Sequence, residues 1–192
     1  MGSTLPYDLE SLQKAVRRGA RPDFLFFWGH TAKGPQSALG KECFSQWYGA
    51  PFTLEGRTFA TAEHFMMFRK AVLFRDQETA EEILAAESPA AAKKLGRKVR
   101  GFVQSVWNKE CLEIVARGNE AKFGQNQELG AFLLRTGDSI LVEASPTDQI
   151  WGIGLAESDS RATNPLKWRG QNLLGFALMI ARDRLAHSRL PP

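Results

Sequence analysis

The chain has 192 residues, 43% of them hydrophobic and 24% charged, which suits one globular domain and excludes a disordered or low-complexity chain. With 25 Lys and Arg against 21 Asp and Glu, its net charge is +4, mildly basic and compatible with a polyanionic ligand without requiring one. No apolar run approaches the roughly 18–20 residues that span a bilayer, and Leu5 to Arg18 mixes charges throughout, so the expectation is a soluble cytoplasmic protein.

Residues 1–22 read as a peripheral segment. Within it Asp8 to Arg18 forms a short helix, with Leu9, Leu12 and Val16 at helical spacing and Gly19 as the stop. Asp23 to Trp28 is short, apolar and aromatic, the pattern of a buried strand. Thr31 to Gly40 is a loop. Phe52-Thr53-Leu54 and Arg57-Thr58-Phe59 alternate around Glu55-Gly56 and predict a β-hairpin. Thr61 is a good N-cap for a helix running from Ala62 to about Phe74, with Ala62, Phe65, Met66, Arg69 and Val72 on one face.

Helices are then expected over Gln77 to Ala86, Ala90 to Arg97, Phe102 to Gly118 and Glu128 to Arg135. Ser139 to Ala144 reads as a strand. Glu157 to Gln171 is polar and proline-interrupted, a surface loop of a length that is often functional. Asn172 to Leu185 closes the chain as a helix. With no internal repeat or linker, residues 23–187 are expected to form one mainly α-helical α+β domain with a few short strands.

Several groups can carry chemistry. Glu63 stands in the first turn of its helix, where a carboxylate complements the helix dipole by about 0.3–1 kcal/mol. Lys70 follows seven positions later on a similar face, so acid and amine can address one ligand or merely form a surface ion pair. Asp148 precedes Ile150-Trp151-Gly152-Ile153-Gly154, where glycines allow close approach and an indole offers a stacking wall; a turn aspartate and a core tryptophan give the same pattern. Five cations lie between Lys93 and Arg100, with Trp107 beyond them, suited to phosphates and a base or to a solvated helix end. Cys43 and Cys111 form no CxxC pair, and His30, His64 and His187 are scattered, so neither a disulfide framework nor a zinc site is expected.

As an ordered set these segments resemble the NADAR family, the YbiA-like N-glycosidases. The series runs from Phe44-Ser45 through Thr61-Ala62-Glu63-His64-Phe65, Lys70, Leu95-Gly96-Arg97, Trp107 and Ala121-Lys122-Phe123. It continues with Leu141-Val142-Glu143, Asp148-Gln149-Ile150-Trp151-Gly152 and Asn172-Leu173-Leu174-Gly175. The resemblance implies a compact, mostly helical domain that hydrolyses a bond between ribose C1 and an amino-heterocycle, with no cofactor and no metal. It implies Glu63, Lys70 and Asp148 as catalytic residues. Trp151, Gly152, Arg97, Trp107, Phe44 and Asn172 are implied for substrate binding. Where some relatives carry a second acid after Trp-Gly, this chain has Ile153. The implied substrate is ADP-ribosylated guanine, in a nucleotide or nucleic acid, with ADP-ribose as product. Alternatives are ribosylamino-pyrimidine phosphates of riboflavin synthesis, or a non-catalytic ADP-ribose-binding module.

Overall fold

A computed structural model describes residues 6–30 and 39–188. Among these residues the order is α1 (Leu9–Arg17), β1 (Phe24–Phe27), β2 (Phe52–Leu54), β3 (Arg57–Phe59), α2 (Ala62–Leu73), α3 (Gln77–Leu84) and α4 (Pro89–Gly96). It continues with α5 (Gln104–Gln125), α6 (Gln127–Leu134), β4 (Ile140–Glu143) and α7 (Leu173–Ser188). Single 3-10 turns lie at Lys41–Phe44 and Pro165–Lys167. This is the mainly helical α+β architecture expected.

Local chemistry explains where the helices begin. Asp8, Thr61, Asp76 and Ser88 each accept a hydrogen bond from the amide three residues on, satisfying a donor that has no partner within the helix. β2 and β3 pair antiparallel, Phe52 opposite Phe59, around Glu55 and Gly56, both at positive φ as a tight hairpin turn requires. β1 and β4 pair in parallel from Phe24↔Ile140 to Phe27↔Glu143, so segments more than a hundred residues apart are joined edge to edge. α7 packs across β4 and α5.

α2 occupies the centre. One apolar face was expected, yet every residue from Ala62 to Phe68 is buried, Glu63 and His64 included. α3, α4 and α5 all pack on it. Two glycines admit it so closely: a Cβ on Gly96 would stand 2.1 Å from Met67 Sδ, and one on Gly118 2.5 Å from Phe65 Cδ1. Burying Phe65 alone contributes about 2–3 kcal/mol.

Four expectations change. α5 does not stop at Gly118 but continues to Gln125, because the glycine that would weaken a helix is the contact Phe65 needs. The β1 segment is mostly half-buried, and Trp28 is 64% exposed. Residues 157–171 are no free surface loop. Ala162 and Trp168 are buried, the Trp168 indole donates to Ala162 O (2.7 Å), and the Arg169 and Gly170 amides both donate to Ile153 O (2.9 Å). The segment expected to be peripheral places Leu12 of α1 in the core, and Gln13 donates to Pro165 O (3.0 Å). The expected loop at Thr31 to Gly40 lies, but for its last two residues, outside the described residues.

One side chain ties β4 to the start of α7. Asn172, fully buried and at φ +56°, donates through Nδ2 to Leu141 O and accepts at Oδ1 from Glu143 N, both at 2.9 Å. Asn172→Ala leaves a buried carbonyl and a buried amide without partners. The expected loss is about 2–4 kcal/mol in urea unfolding.

Candidate active site

The first turn of α2 brings Glu63 to the inner end of a cavity of about 380 Å³. Its backbone amide donates to Gln46 O (2.9 Å), which docks the segment after the first 3-10 turn against the helix start. That segment is held from behind. The fully buried Lys122 donates to Cys43 O (2.6 Å) and Ser45 O (2.9 Å), and Asn119 donates to Gln46 Oε1 (3.0 Å). Ser45, Gln46 and Trp47 thereby become one wall.

The opposite wall comes from the end of β4 and the turn after it. Glu143 enters the cavity from the last position of the strand, its amide fixed by Asn172 and its carbonyl accepting from Ile153 N (2.9 Å). Asp148 Oδ1 accepts from the amides of Ile150 and Trp151, both at 2.8 Å, so the carboxylate shapes the turn that presents the Trp151 ring. α4 adds Lys93 and Arg97, and α5 adds Trp107.

Lys70 completes the lining two turns along α2 from Glu63. Its Nζ donates to Gly96 O (2.8 Å) and lies 4.2 Å from the centre of the Phe102 ring and 5.8 Å from that of Trp107. No carboxylate pairs with it among the described residues. Burial lowers its pKa and so favours the neutral, nucleophilic amine.

Glu63 is 2% exposed and its Oε1 has no hydrogen-bond partner. Burial pushes its pKa up to about 7, against the pull of Lys93. Glu143, with Oε2 likewise buried and unpartnered, is pushed to about 8 by burial and then by the charge of Asp148. His64, the neighbour of Glu63, turns away: its ring nitrogens meet Thr61 Oγ1 (2.8 Å) and Ala86 O (3.0 Å).

The structure brings together Glu63, Lys70, Asp148, Trp151, Arg97 and Trp107. Three other expected residues do not reach the cavity. Phe44 is fully buried in the core against Phe27, Phe123 and Phe132. Asn172 is spent on the β4 backbone. Gly152 serves chain packing rather than ligand approach, since a Cβ there would meet Glu143 O at 2.8 Å and Asp148 O at 3.1 Å. Sequence reasoning did not single out Glu143 or Trp47 as site residues, and it took Lys93 only as part of a basic stretch suited to phosphates. The available signal for Glu143 was an acid ending an apolar strand just before a turn. Ile153, where some relatives carry an acid, is fully buried.

A larger cavity, about 630 Å³, opens between α1 and Ser139–Ile140. None of the residues expected to be functional lines it. Among the described residues no three His, Cys, Asp or Glu side chains are grouped to hold a metal ion, and no described helix is long and apolar enough to cross a membrane.

The raised Glu63 pKa has a stability consequence. A carboxyl that holds its proton more tightly folded than unfolded stabilises the fold below its ordinary value near 4.5, and this is lost as pH rises through about 7. The cost of ionising it is about 3 kcal/mol. Urea unfolding at pH 5 and pH 8 should therefore show a smaller pH-dependent loss for Glu63→Gln than for the unsubstituted chain.

Comparison with known proteins places the chain in a family. The sequence model of the NADAR domain matches residues 26–186. An N-glycosidase of Acanthamoeba polyphaga mimivirus is 41% identical over 165 residues, 83% of this chain and 95% of that protein. N-glycosidase YbiA of Escherichia coli (strain K12) is 32% identical over 143 residues, 74% of this chain and 81% of that one. The NMR structure of E. coli YbiA superimposes with a TM-score of 0.70 and 26% identity, covering 98% of this chain and 97% of that one. The chain belongs to the NADAR family.

Proposed function

We propose that the protein is an N-glycosidase that hydrolyses a ribose C1–N bond, and that its substrate is guanine carrying ADP-ribose on its exocyclic amine. The observation that carries this reading is a buried carboxyl, Glu63, one oxygen of which has no hydrogen-bond partner, sharing one cavity with Lys70, an amine that has no acidic partner among the described residues.

Breaking such a bond builds positive charge at C1 and negative charge on the departing nitrogen. A desolvated carboxyl near neutral pKa suits proton transfer in that step, which contributes about 10²–10⁴-fold. Asp148 stabilises the Trp151 turn and adds negative charge beside C1. The Trp151 and Trp107 rings supply stacking surface for the heterocycle. Lys93 and the exposed Arg97, on successive turns of the α4 segment, suit the diphosphate of ADP-ribose at the mouth.

Lys70 supports a covalent route. A glycosylamine opens to an imine at C1; the neutral Nζ adds to C1, and the guanine amine leaves with the protons that Nζ gives up. Water then adds to the lysine Schiff base and releases the sugar. Burial favours the neutral amine, against the Phe102 and Trp107 ring faces, which favour its cation.

Incubation with ADP-ribosylated guanosine should release guanosine and free ADP-ribose. A ribosylaminopyrimidine phosphate offered alongside separates the metabolic alternative, and tight ADP-ribose binding with no turnover of either would return the chain to a binding module. Glu63→Gln should lose about 10²–10⁴-fold in turnover while keeping its fold. Borohydride added during turnover should link ADP-ribose to Lys70, read by peptide mass. Full activity in Lys70→Ala with no adduct in the unsubstituted protein would remove the covalent route.

A further inference from the structure

The cavity contains one more acid than the chemistry above uses, a half-buried one. Glu143 lines it together with Glu63, from the end of β4 rather than the start of α2, and feels the charge of Glu63. Each has one carboxyl oxygen that is buried without a partner, Oε1 in Glu63 and Oε2 in Glu143. Both acids feel the same two neighbours, Lys93 from α4 and Asp148 from the turn after β4. Arg97 reaches Glu63 as well, and Lys70 stands further along α2. A buried oxygen left bare in each of two acids of one cavity is costly unless a ligand or a proton meets it.

We propose that Glu143 is a second catalytic carboxyl, sharing a proton with Glu63 and delivering it to the nitrogen that leaves C1. The proposal rests on the N-glycosidase reading and deepens it. The division of labour follows from the surroundings. Glu63 sits at the positive end of a helix dipole, with Lys93 and Arg97 favouring its charged form. Glu143 sits at a strand end, and its strongest charged neighbour is the like charge of Asp148. One proton distributed over the two acids therefore resides on Glu143.

The step balances. As the C1–N bond breaks, its electron pair stays on nitrogen and takes the proton from Glu143. The nucleophile that bonds C1, Lys70 Nζ or water, gives a proton to the Glu63 carboxylate. Transfer from Glu63 back to Glu143 restores the pair, and over the cycle water divides into the hydrogen on the amine and the hydroxyl on C1. The backbone holding Glu143 is correspondingly stiff: its amide is clamped by Asn172 and its carbonyl by Ile153.

The test compares Glu143→Gln with Glu63→Gln on two substrates, ADP-ribosylated guanosine and ADP-ribosyl 4-nitroaniline, whose weakly basic amine needs less help from an acid. Glu143→Gln should lose about 10²–10⁴-fold on the guanosine substrate, recover most of that on the nitroaniline, and lose the alkaline fall of the kcat/KM profile. Glu63→Gln should lose comparably on both. Equal losses for Glu143→Gln on the two substrates, or an unchanged alkaline limb, would overturn the acid role. Turnover of neither substrate by the unsubstituted protein would instead fail the glycosidase reading and the acid role with it. Carboxyl-labelled NMR of the ligand-free protein decides the shared proton independently. The Glu143 midpoint should stand near 8 and fall in Glu63→Gln, whereas a midpoint in the ordinary carboxylate range refutes the pair.

Discussion

The first turn of α2 carries a carboxyl group into a place from which water is almost excluded, and much of the structure is arranged around the cost of keeping it there. Glu63 retains an oxygen with no hydrogen-bond partner, so the fold holds this group against its hydration preference. Helix packing supplies the difference. With every residue of Ala62–Phe68 buried, α2 cannot rotate to release its acid without opening contacts to α3, α4 and α5 at once.

Two buried polar side chains convert that packing into a site. Lys122 reaches from α5 to the carbonyls of Cys43 and Ser45, and Asn172 reaches from the start of α7 to the backbone of β4. Neither lines the cavity. Each fixes a loop or strand end that does, and each satisfies backbone groups that would otherwise be stranded away from water. Burial holds the Lys122 pKa down near 7, so the latch depends on carbonyl dipoles rather than on an ion pair. The surface ion pairs, such as Arg184 with Glu113 and Arg57 with Glu81, lie between exposed side chains and contribute little to this arrangement.

The elements themselves were legible. The N-caps, the Glu55-Gly56 turn and the helical periodicity act over a few residues, so most strand and helix ends could be read to within a residue or two, the C-terminal ends of α5 and α7 excepted. What local pattern misjudged was burial. α2 shows polar residues that a surface helix would also show, Gly118 reads as a stop, and residues 157–171 read as loop because their buried members are single residues between polar ones. Of the expected site residues, six meet in the cavity, while Phe44, Asn172 and Gly152 support it from behind. A place in an ordered series does not say whether a residue meets a ligand or packs behind one.

By itself the sequence determined the order of elements, the acid and amine two helical turns apart on α2, and the series of motifs that marks the family. It could do so because caps, turns and helix periodicity are short-range, and a helix places residues seven apart on similar faces whatever surrounds it. Tertiary structure alone decided that Glu63 meets Glu143, Asp148 and Lys93, since these come from α2, β4, a turn and α4, with no spacing rule to connect them. It also decided their protonation. A carboxyl pKa near neutrality is a property of excluded water and neighbouring charge, and both exist only once the chain has closed around the cavity.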